Sequence, residues 1–265
     1  MTKNSKITLG LICLSLTACN DDLIVDFSGE QHVRVYQDDQ ALACSDTGTI
    51  AVKEHGKLLI DEHIELHCSQ KGDDGLSYTE SCGSETDSIN IFTIHDKDLA
   101  EAESLGFSRL STLADPQFDE LCEYKVISDR RKYRLLRQLN NQYAKWQASK
   151  PANYKFQFNV TYSDCPTFAP TPNVAITVND DAINTVYDLD NEMYLTDISD
   201  YMTIDELFSE INLQLKLTPT EVGLDVSDPH LSPRFSDMGM PEQYFINAGG
   251  EECDAANYSI SLLAD

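Results

Sequence analysis

The sequence predicts an α+β protein made of two small domains, each a short antiparallel sheet with packed helices, stapled by disulfides. Three observations support this class. Strand-length apolar stretches alternate with turn residues along most of the chain. Helical periodicity is confined to a few segments. Six cysteines lie beyond the first nineteen residues, which is typical of small exported domains.

The N-terminus has the pattern of a signal peptide. Two lysines precede an apolar run over 7–16, about half the length of roughly 20 residues that a membrane-spanning helix needs. The next residues, Leu16-Thr17-Ala18-Cys19, resemble the bacterial lipobox, in which the cysteine thiol receives diacylglycerol. A plain secretory signal that happens to contain cysteine is the alternative.

The resemblance to a lipobox implies how the chain is processed and anchored. It predicts a signal peptide over 1–18, lipidation of Cys19 and a tether over 19–27. Because Asn20 rather than aspartate follows the cysteine, we expect an outer-membrane anchor with the protein facing the periplasm. The membrane is then a partner only through the lipid.

Charge is spread unevenly, and this predicts the domain boundary. The chain carries 19 basic and 45 acidic residues, a formal net charge of -26. Residues 20–124 hold 6 basic and 24 acidic residues, and residues 156–265 hold 2 basic and 20 acidic residues. The segment 125–155 between them holds 9 basic residues and 1 acidic residue. So acidic a chain is repelled by phosphate backbones, which excludes nucleic acid as a ligand. The basic segment separates two predicted domains, 28–128 and 129–265.

The basic segment itself is predicted to be an amphipathic helix. Leu135, Leu139, Tyr143 and Trp146 recur at helical spacing, and the helix should end before Pro151. Its basic residues either dock an acidic protein partner in the envelope or offset the acidity of the neighbouring domains. These residues are Arg130, Arg131, Lys132, Arg134 and Arg137.

Six cysteines are candidates for disulfides. Two follow the basic segment, which predicts a pair between Cys165 and Cys253. Four precede it and allow three pairings. No Cys-x-x-Cys spacing favours the competing zinc site, so the sequence predicts no metal ligands and no cofactor. The first four are Cys44, Cys68, Cys82 and Cys122.

In the first domain, apolar patches indicate short strands, and two helices are expected. One helix runs near 98–105 and stops at Gly106. Another begins at Asp115-Pro116, an N-cap followed by proline at the first helical position. The predicted strands lie at Val33 and Val35, Ile50 and Val52, 58–60, Ile64 and Leu66, and 89–94.

The second domain has clearer local signals. Apolar and polar residues alternate over 154–162, which predicts a strand with one buried face. The segments 174–178 and 183–187 flank the turn residues Asn179-Asp180-Asp181 and predict a hairpin. Thr203 and Glu206 form a capping box that opens an amphipathic helix. Further strands are predicted at 222–226, 244–246 and 258–262.

Several segments of the second half occur together in one known pattern: Trp146, Tyr154-x-Phe156, Cys165, 174–178, 201–208 and 229–233. With them the chain over roughly 133–265 resembles a bacterial family of secreted and lipid-anchored proteins known only as a domain of unknown function, which implies a compact α+β domain and no activity. Members often have two nearby cysteines and a hairpin glycine, whereas this chain has Cys165 alone and Asn-Asp-Asp in the turn.

The first half has its own pattern, made of the segment 44–68, Cys82-Gly83, the stretch 91–102 and Leu105-Gly106-Phe107. It resembles a small cysteine-containing domain of proteobacterial secreted proteins, which implies no function.

Two motifs come close to known metal sites. His63 and His67 stand four apart beside Glu62 and Glu65, but the order His-Glu-x-x-His of zinc proteases is missing and the alternation predicts a strand, which holds them too far apart. Asp188-x-Asp190-x-Glu192 echoes a calcium loop without its glycine or its twelfth-position glutamate. We therefore interpret both as solvated surface residues.

The sequence favours a noncatalytic, lipid-anchored protein that binds a protein partner or a ligand in the cell envelope. No Gly-x-Ser-x-Gly elbow and no phosphate loop is present. The alternative is an envelope hydrolase that uses scattered carboxylates and one of six histidines. These are His32, His55, His63, His67, His95 and His230.

Overall fold

The structure, a computed structural model, describes residues 24–25, 31–45, 47–79, 81–165, 173–249 and 253–263. The predicted signal peptide and Cys19 lie outside these residues. The helices are α1 (Val52–Asp61), α2 (Leu99–Ser104), α3 (Cys122–Lys125), α4 (Asp129–Ser149) and α5 (Ile204–Lys216). The strands are β1 (Ile24–Val25), β2 (Gln31–Asp38), β3 (Leu66–Asp73), β4 (Ser88–His95), β5 (Ser108–Arg109), β6 (Asn153–Tyr162), β7 (Val174–Asn179), β8 (Ala182–Asp188), β9 (Met193–Tyr194), β10 (Glu221–Gly223), β11 (Arg234–Phe235), β12 (Pro241–Asn247) and β13 (Ala255–Leu262).

The strands form two antiparallel sheets, so the predicted α+β class is confirmed. In the N-terminal lobe, which is the first sheet with α1–α3, the order is β1-β2-β4-β3, and β5 pairs with β2. One face of this sheet packs on α1 and α2 through Val33, Val35, Leu59 and Phe92. The short segment that carries α3 covers the opposite face, where Cys68 is bonded to Cys122. The sheet therefore has a layer on each face.

In the C-terminal lobe, the second sheet has the order β10-β12-β13-β6-β7-β8-β9, and α4 and α5 cover one face. Alternate residues of β6 point into this core as the sequence predicted, with Phe156 fully buried. The predicted hairpin is β7–β8, and both Asp180 and Asp181 have positive φ, 49° and 62°. The Thr203 hydroxyl accepts a hydrogen bond from Glu206 N, which confirms the capping box.

Two predictions for the N-terminal lobe are wrong. Val52 and the stretch 58–60 belong to helix α1, not to strands, because Val52, Leu59 and Ile60 fall on one helical face that packs on the sheet, and Ile50 precedes the helix outside any strand. No helix begins at Asp115-Pro116. Instead Gln117 bridges to Asp73 in an extended conformation, and only the short α3 follows.

The basic helix is confirmed as α4, and it ends at Ser149, two residues before Pro151. Two of its basic side chains make contacts within the molecule. Arg131 donates to the backbone oxygens of Val222 and Pro229, and the Lys132 side chain is 3% exposed at the junction of the lobes. Among the described residues, no helix combines the length and apolarity needed to cross a bilayer.

The six cysteines form three disulfides: Cys44–Cys82, Cys68–Cys122 and Cys165–Cys253. Disulfide bonding is thus confirmed, and the structure selects one of the three pairings that were open for the first four cysteines. The pairs differ in exposure. Cys44 and Cys82 are exposed, whereas Cys68 is 0% and Cys122 8% exposed.

This difference in exposure predicts the order of reduction. Under a mild dithiol in native buffer, Cys44–Cys82 is expected to be reduced and alkylated first, because thiolate attack needs access to the sulfur. Cys68–Cys122 should react only after unfolding. Timed alkylation with peptide mass spectrometry measures both rates, and the same reaction in guanidinium chloride is the control. Equal rates for the two pairs in native buffer would contradict the prediction.

Candidate functional site

Three histidines from three neighbouring strands meet where those strands begin or end, at one end of the N-terminal sheet. His32 lies at the start of β2 and pairs across the sheet with His95, at the end of β4. Directly opposed residues of antiparallel strands present their side chains on the same face. The register of β2 and β4 therefore brings together two imidazoles that lie 63 positions apart in the chain.

The third imidazole reaches this face because β3 contains a bulge. Leu66 pairs with Ile94 and Cys68 with Thr93, so His67 is one extra residue against β4. A bulge re-aims the side chain of its extra residue. Nε2 of His67 lies 3.1 Å from Nε2 of His95, and the ring stacks on that of His32 with the centroids 4.0 Å apart.

The three rings form a compact donor set, which we call the histidine cluster (His32, His67 and His95). Their nearest ring nitrogens all lie within 4.8 Å of one another. Three nitrogens bound to one tetrahedral ion at about 2.0–2.1 Å would be separated by roughly 3.3 Å, so the nitrogens of the cluster would move closer together on binding an ion. His32 and His95 are 6% and 8% exposed, and His67 is partly exposed.

Electrostatics favour the neutral imidazole at His67. Burial, together with the charges of the neighbouring His32, His95 and Lys132, lowers the pKa of His67 to about 4. A neutral imidazole is the form that ligates a metal ion, since its second nitrogen keeps a free lone pair. Three imidazoles match the nitrogen donors preferred by zinc, copper and nickel.

A buried polar network lies farther along the same sheet face. Arg34 donates to the backbone oxygen of Glu120 and approaches Glu123 Oε1 at 3.5 Å. Thr93 Oγ1 donates to the same carboxylate oxygen at 2.7 Å. Glu123 lies on α3, which the Cys68–Cys122 disulfide ties to β3. These contacts anchor the segment over the sheet face on which the histidine cluster lies.

The other histidines that the sequence singled out lie elsewhere. His55 is buried in the core, where its Nδ1 lies 2.9 Å from Asn90 Nδ2. His63 is exposed in the turn after α1 with φ 68°, so His63 and His67 do not share a strand face. His230 is exposed in a loop. The calcium-like segment is a turn in which Asp188 accepts from the backbone N–H groups of 190 and 191. Because these bonds hold its side chain inward, Asp188 is 3% exposed, and the interpretation of this motif as solvated is wrong for that residue.

Sequence reasoning missed the convergence because it depends on strand register and on a bulge. One signal was present. His32 and His95 each stand at the end of an apolar strand, and pairing those strands antiparallel would have brought the ends together. The prediction of no metal ligands stays a prediction, and the geometry of the cluster argues against it.

The class of molecule is thus a disulfide-bonded α+β protein with a three-histidine cluster on its first sheet. A family model described as a family of unknown function (DUF6174) matches residues 138–224, from α4 to β10. This supports the predicted resemblance of the second half to a domain of unknown function. The match begins at residue 138, after all three histidines of the cluster, and so does not include them. The curated proteins and the solved structures contain no match to the chain.

Proposed function

We propose that this protein is an exported, lipid-anchored, noncatalytic protein that binds one divalent transition-metal ion through His32, His67 and His95. The observation that carries the proposal is the convergence of three ring nitrogens within 4.8 Å on one face of the first sheet. Three disulfides suit an oxidising compartment such as the periplasm. In that setting the envelope protein partner predicted from the sequence would deliver or receive the ion.

Zinc and copper are the ions that best suit the site. Imidazole is a ligand for both, and affinity for a given nitrogen site rises toward copper in the divalent series. Magnesium and calcium prefer oxygen ligands, which the cluster lacks. The six cysteines that the structure describes are bound in disulfides and supply no thiolate.

The test is a titration of the purified, chelator-stripped chain with Zn²⁺ in competition with a chromogenic chelator, and with Co²⁺ as a spectroscopic probe. We expect one equivalent to bind. His67→Ala is expected to weaken binding by at least about 100-fold, more than the roughly 10–100-fold typical for loss of a ligand's hydrogen-bond partner. Bound Zn²⁺ should also raise the melting temperature of the wild type.

The matched control is His63→Ala. This imidazole is exposed and lies four positions from His67, yet it is outside the cluster, so its loss should leave the Zn²⁺ affinity unchanged. Circular dichroism of each apo variant checks that the fold is intact. Equal Zn²⁺ affinities for the wild type and the His67→Ala variant would refute the proposal, as would the absence of saturable binding.

A metal-dependent hydrolase is the second candidate. Three histidine nitrogens are also the ligand set of some catalytic zinc sites, in which a fourth position holds water. The neighbouring cavity of about 450 Å³ is lined by Glu65, Leu66 and Lys132 but by none of the three histidines, which favours binding over catalysis. If the zinc-loaded chain hydrolyses an activated ester and the His67→Ala variant does not, the hydrolase is supported over the binding protein.

A further inference from the structure

The C-terminal lobe makes two hydrogen bonds to the backbone directly before the ligand His67. The carbonyl oxygen of Leu66 accepts from Lys132 Nζ of α4 at 3.0 Å and from Thr218 Oγ1, just after α5, at 2.7 Å. Both donors are 2% exposed. This carbonyl lies at the bulge that turns His67 toward the other histidines.

Thr218, which follows the C-cap of α5, has an unusual backbone conformation at this contact. Its φ is 61°, in the left-handed region that β-branched residues rarely adopt. Such outliers persist only where the surrounding structure enforces them, and they concentrate at functional sites. Here the hydroxyl that the conformation aims across the lobe junction is bound to the Leu66 carbonyl.

The neighbouring Leu217 explains how the lobes come this close. A Cβ atom added at Gly56 of α1 would lie 2.2 Å from Leu217 Cδ2, so the end of the Leu217 side chain occupies the space that this glycine leaves open. Leu217 also packs against the core of the N-terminal lobe. The end of α5 is therefore held tightly against the lobe that carries the histidine cluster.

Lys132 extends the same restraint to the preceding residue. Its ammonium lies 3.0 Å from Glu65 Oε1 and 3.4 Å from Asp129 Oδ1. The Tyr133 hydroxyl donates to the same Glu65 oxygen. Residues 65 and 66 are thus bound from α4 as well as from Thr218, and His67 follows them directly.

We propose that Thr218 and Lys132 are positioning residues through which the C-terminal lobe sets the metal affinity of the histidine cluster. This inference rests on the proposed function. Because coupling between two equilibria is reciprocal, a bound metal ion also strengthens the packing of the lobes on each other. The metal site would then respond to any partner that tightens or loosens the junction.

The first test compares metal binding by the full chain in variants of the two donors. Thr218→Val keeps the β-branched shape but removes the hydroxyl, and Lys132→Met removes the ammonium. Each is expected to weaken Zn²⁺ binding by about 10-fold to 100-fold, the range seen when a supporting hydrogen bond is lost. The visible spectrum of bound Co²⁺ should change, and Thr218→Ser should restore the wild-type spectrum and affinity.

The control is Lys53→Met. Lys53 also crosses the lobe junction, where it pairs with Glu210 at 2.9 Å, but its side chain is 49% exposed and its ammonium is paired with α5 rather than with residues 65–67. Its loss should leave Zn²⁺ affinity unchanged. A reduction equal to that in Thr218→Val would mean that general loosening of the junction, not positioning of His67, is responsible, and would overturn the proposal.

Thr218→Gly separates positioning from folding. Glycine accepts positive φ without strain, so the unfolding midpoint should be retained or raised while Zn²⁺ affinity falls as in Thr218→Val. If Thr218→Gly, Thr218→Val and Lys132→Met all bind Zn²⁺ with the wild-type affinity and give the wild-type Co²⁺ spectrum, the positioning role is overturned. The metal site itself would stand. If the wild type binds no Zn²⁺, this inference falls together with the proposed function.

Discussion

Replacing Trp146 with alanine is expected to lower the free energy of unfolding by about 3–5 kcal/mol, the range for loss of a large buried aromatic side chain. Trp146 is 0% exposed and meets Tyr154 edge-on, with the centroids 5.3 Å apart. Its indole N–H also faces Asp205 Oδ2 at 3.4 Å. Urea denaturation followed by circular dichroism measures the loss, since this is the one tryptophan of the chain and fluorescence disappears with it.

Tyr143→Ala is the matched control for Trp146. Tyr143 lies one turn earlier on α4 and contacts Phe208, with the ring centroids 5.0 Å apart, but it is 38% exposed. Its loss should cost about 1 kcal/mol or less because less apolar surface is buried. If both variants lose the same small amount, Trp146 is not the centre of the C-terminal core.

Replacing Asp39 with alanine is expected to destabilise the N-terminal lobe by about 3 kcal/mol. The Asp39 carboxylate is 0% exposed, pairs with Lys71 and accepts from Ser88 Oγ at 2.7 Å and from Ala41 N at 2.9 Å. Breaking a buried pair typically costs about 3–5 kcal/mol. We expect the lower end because the Lys71 side chain keeps 21% exposure. Chemical denaturation measures the change.

Asp61→Asn is the matched control for Asp39. Asp61 pairs with Lys57 on the surface of α1, with both side chains more than half exposed. Exposed pairs at this spacing contribute about 0.3–0.5 kcal/mol, so the variant should be close to the wild type. A loss in Asp61→Asn as large as that in Asp39→Ala would contradict the assignment of the effect to burial.

Acid adds a second readout for Asp39. Burial by itself raises the pKa of Asp39, but the hydrogen bonds from Lys71 and Ser88 outweigh it and hold the pKa below its ordinary value of 3.8. A lowered pKa gives stability that is present above the ordinary value and is lost as the pH falls through the folded pKa. The wild type should therefore lose stability below about pH 4, and Asp39→Asn should lose less there.

Local patterns were enough to predict much of the C-terminal lobe. The alternation in β6, the β7–β8 turn and the capping box of α5 each depend on residues close in sequence, and all three are confirmed. The basic helix α4 was equally predictable from its spacing and from Pro151. In each case neighbouring residues determine both the conformation and the buried face.

Helix α1 shows where local patterns fail. Gly56 in its middle weakens the intrinsic helix propensity, and the flanking apolar pairs resemble strands. The space above this glycine is occupied by the Leu217 side chain from the other lobe. Gly56 is therefore explained by a tertiary contact, whereas its helix propensity alone would disfavour it at this position.

The sequence by itself determined the α+β class, the even division of cysteines, the basic central helix and most of the second sheet. Only the tertiary structure decided the cysteine pairing within the first lobe, the histidine cluster and its contacts with Thr218 and Lys132. Propensity and periodicity act over a few neighbouring residues. The candidate site depends on the register between strands, a one-residue bulge and the packing of two lobes, which join residues up to 152 positions apart.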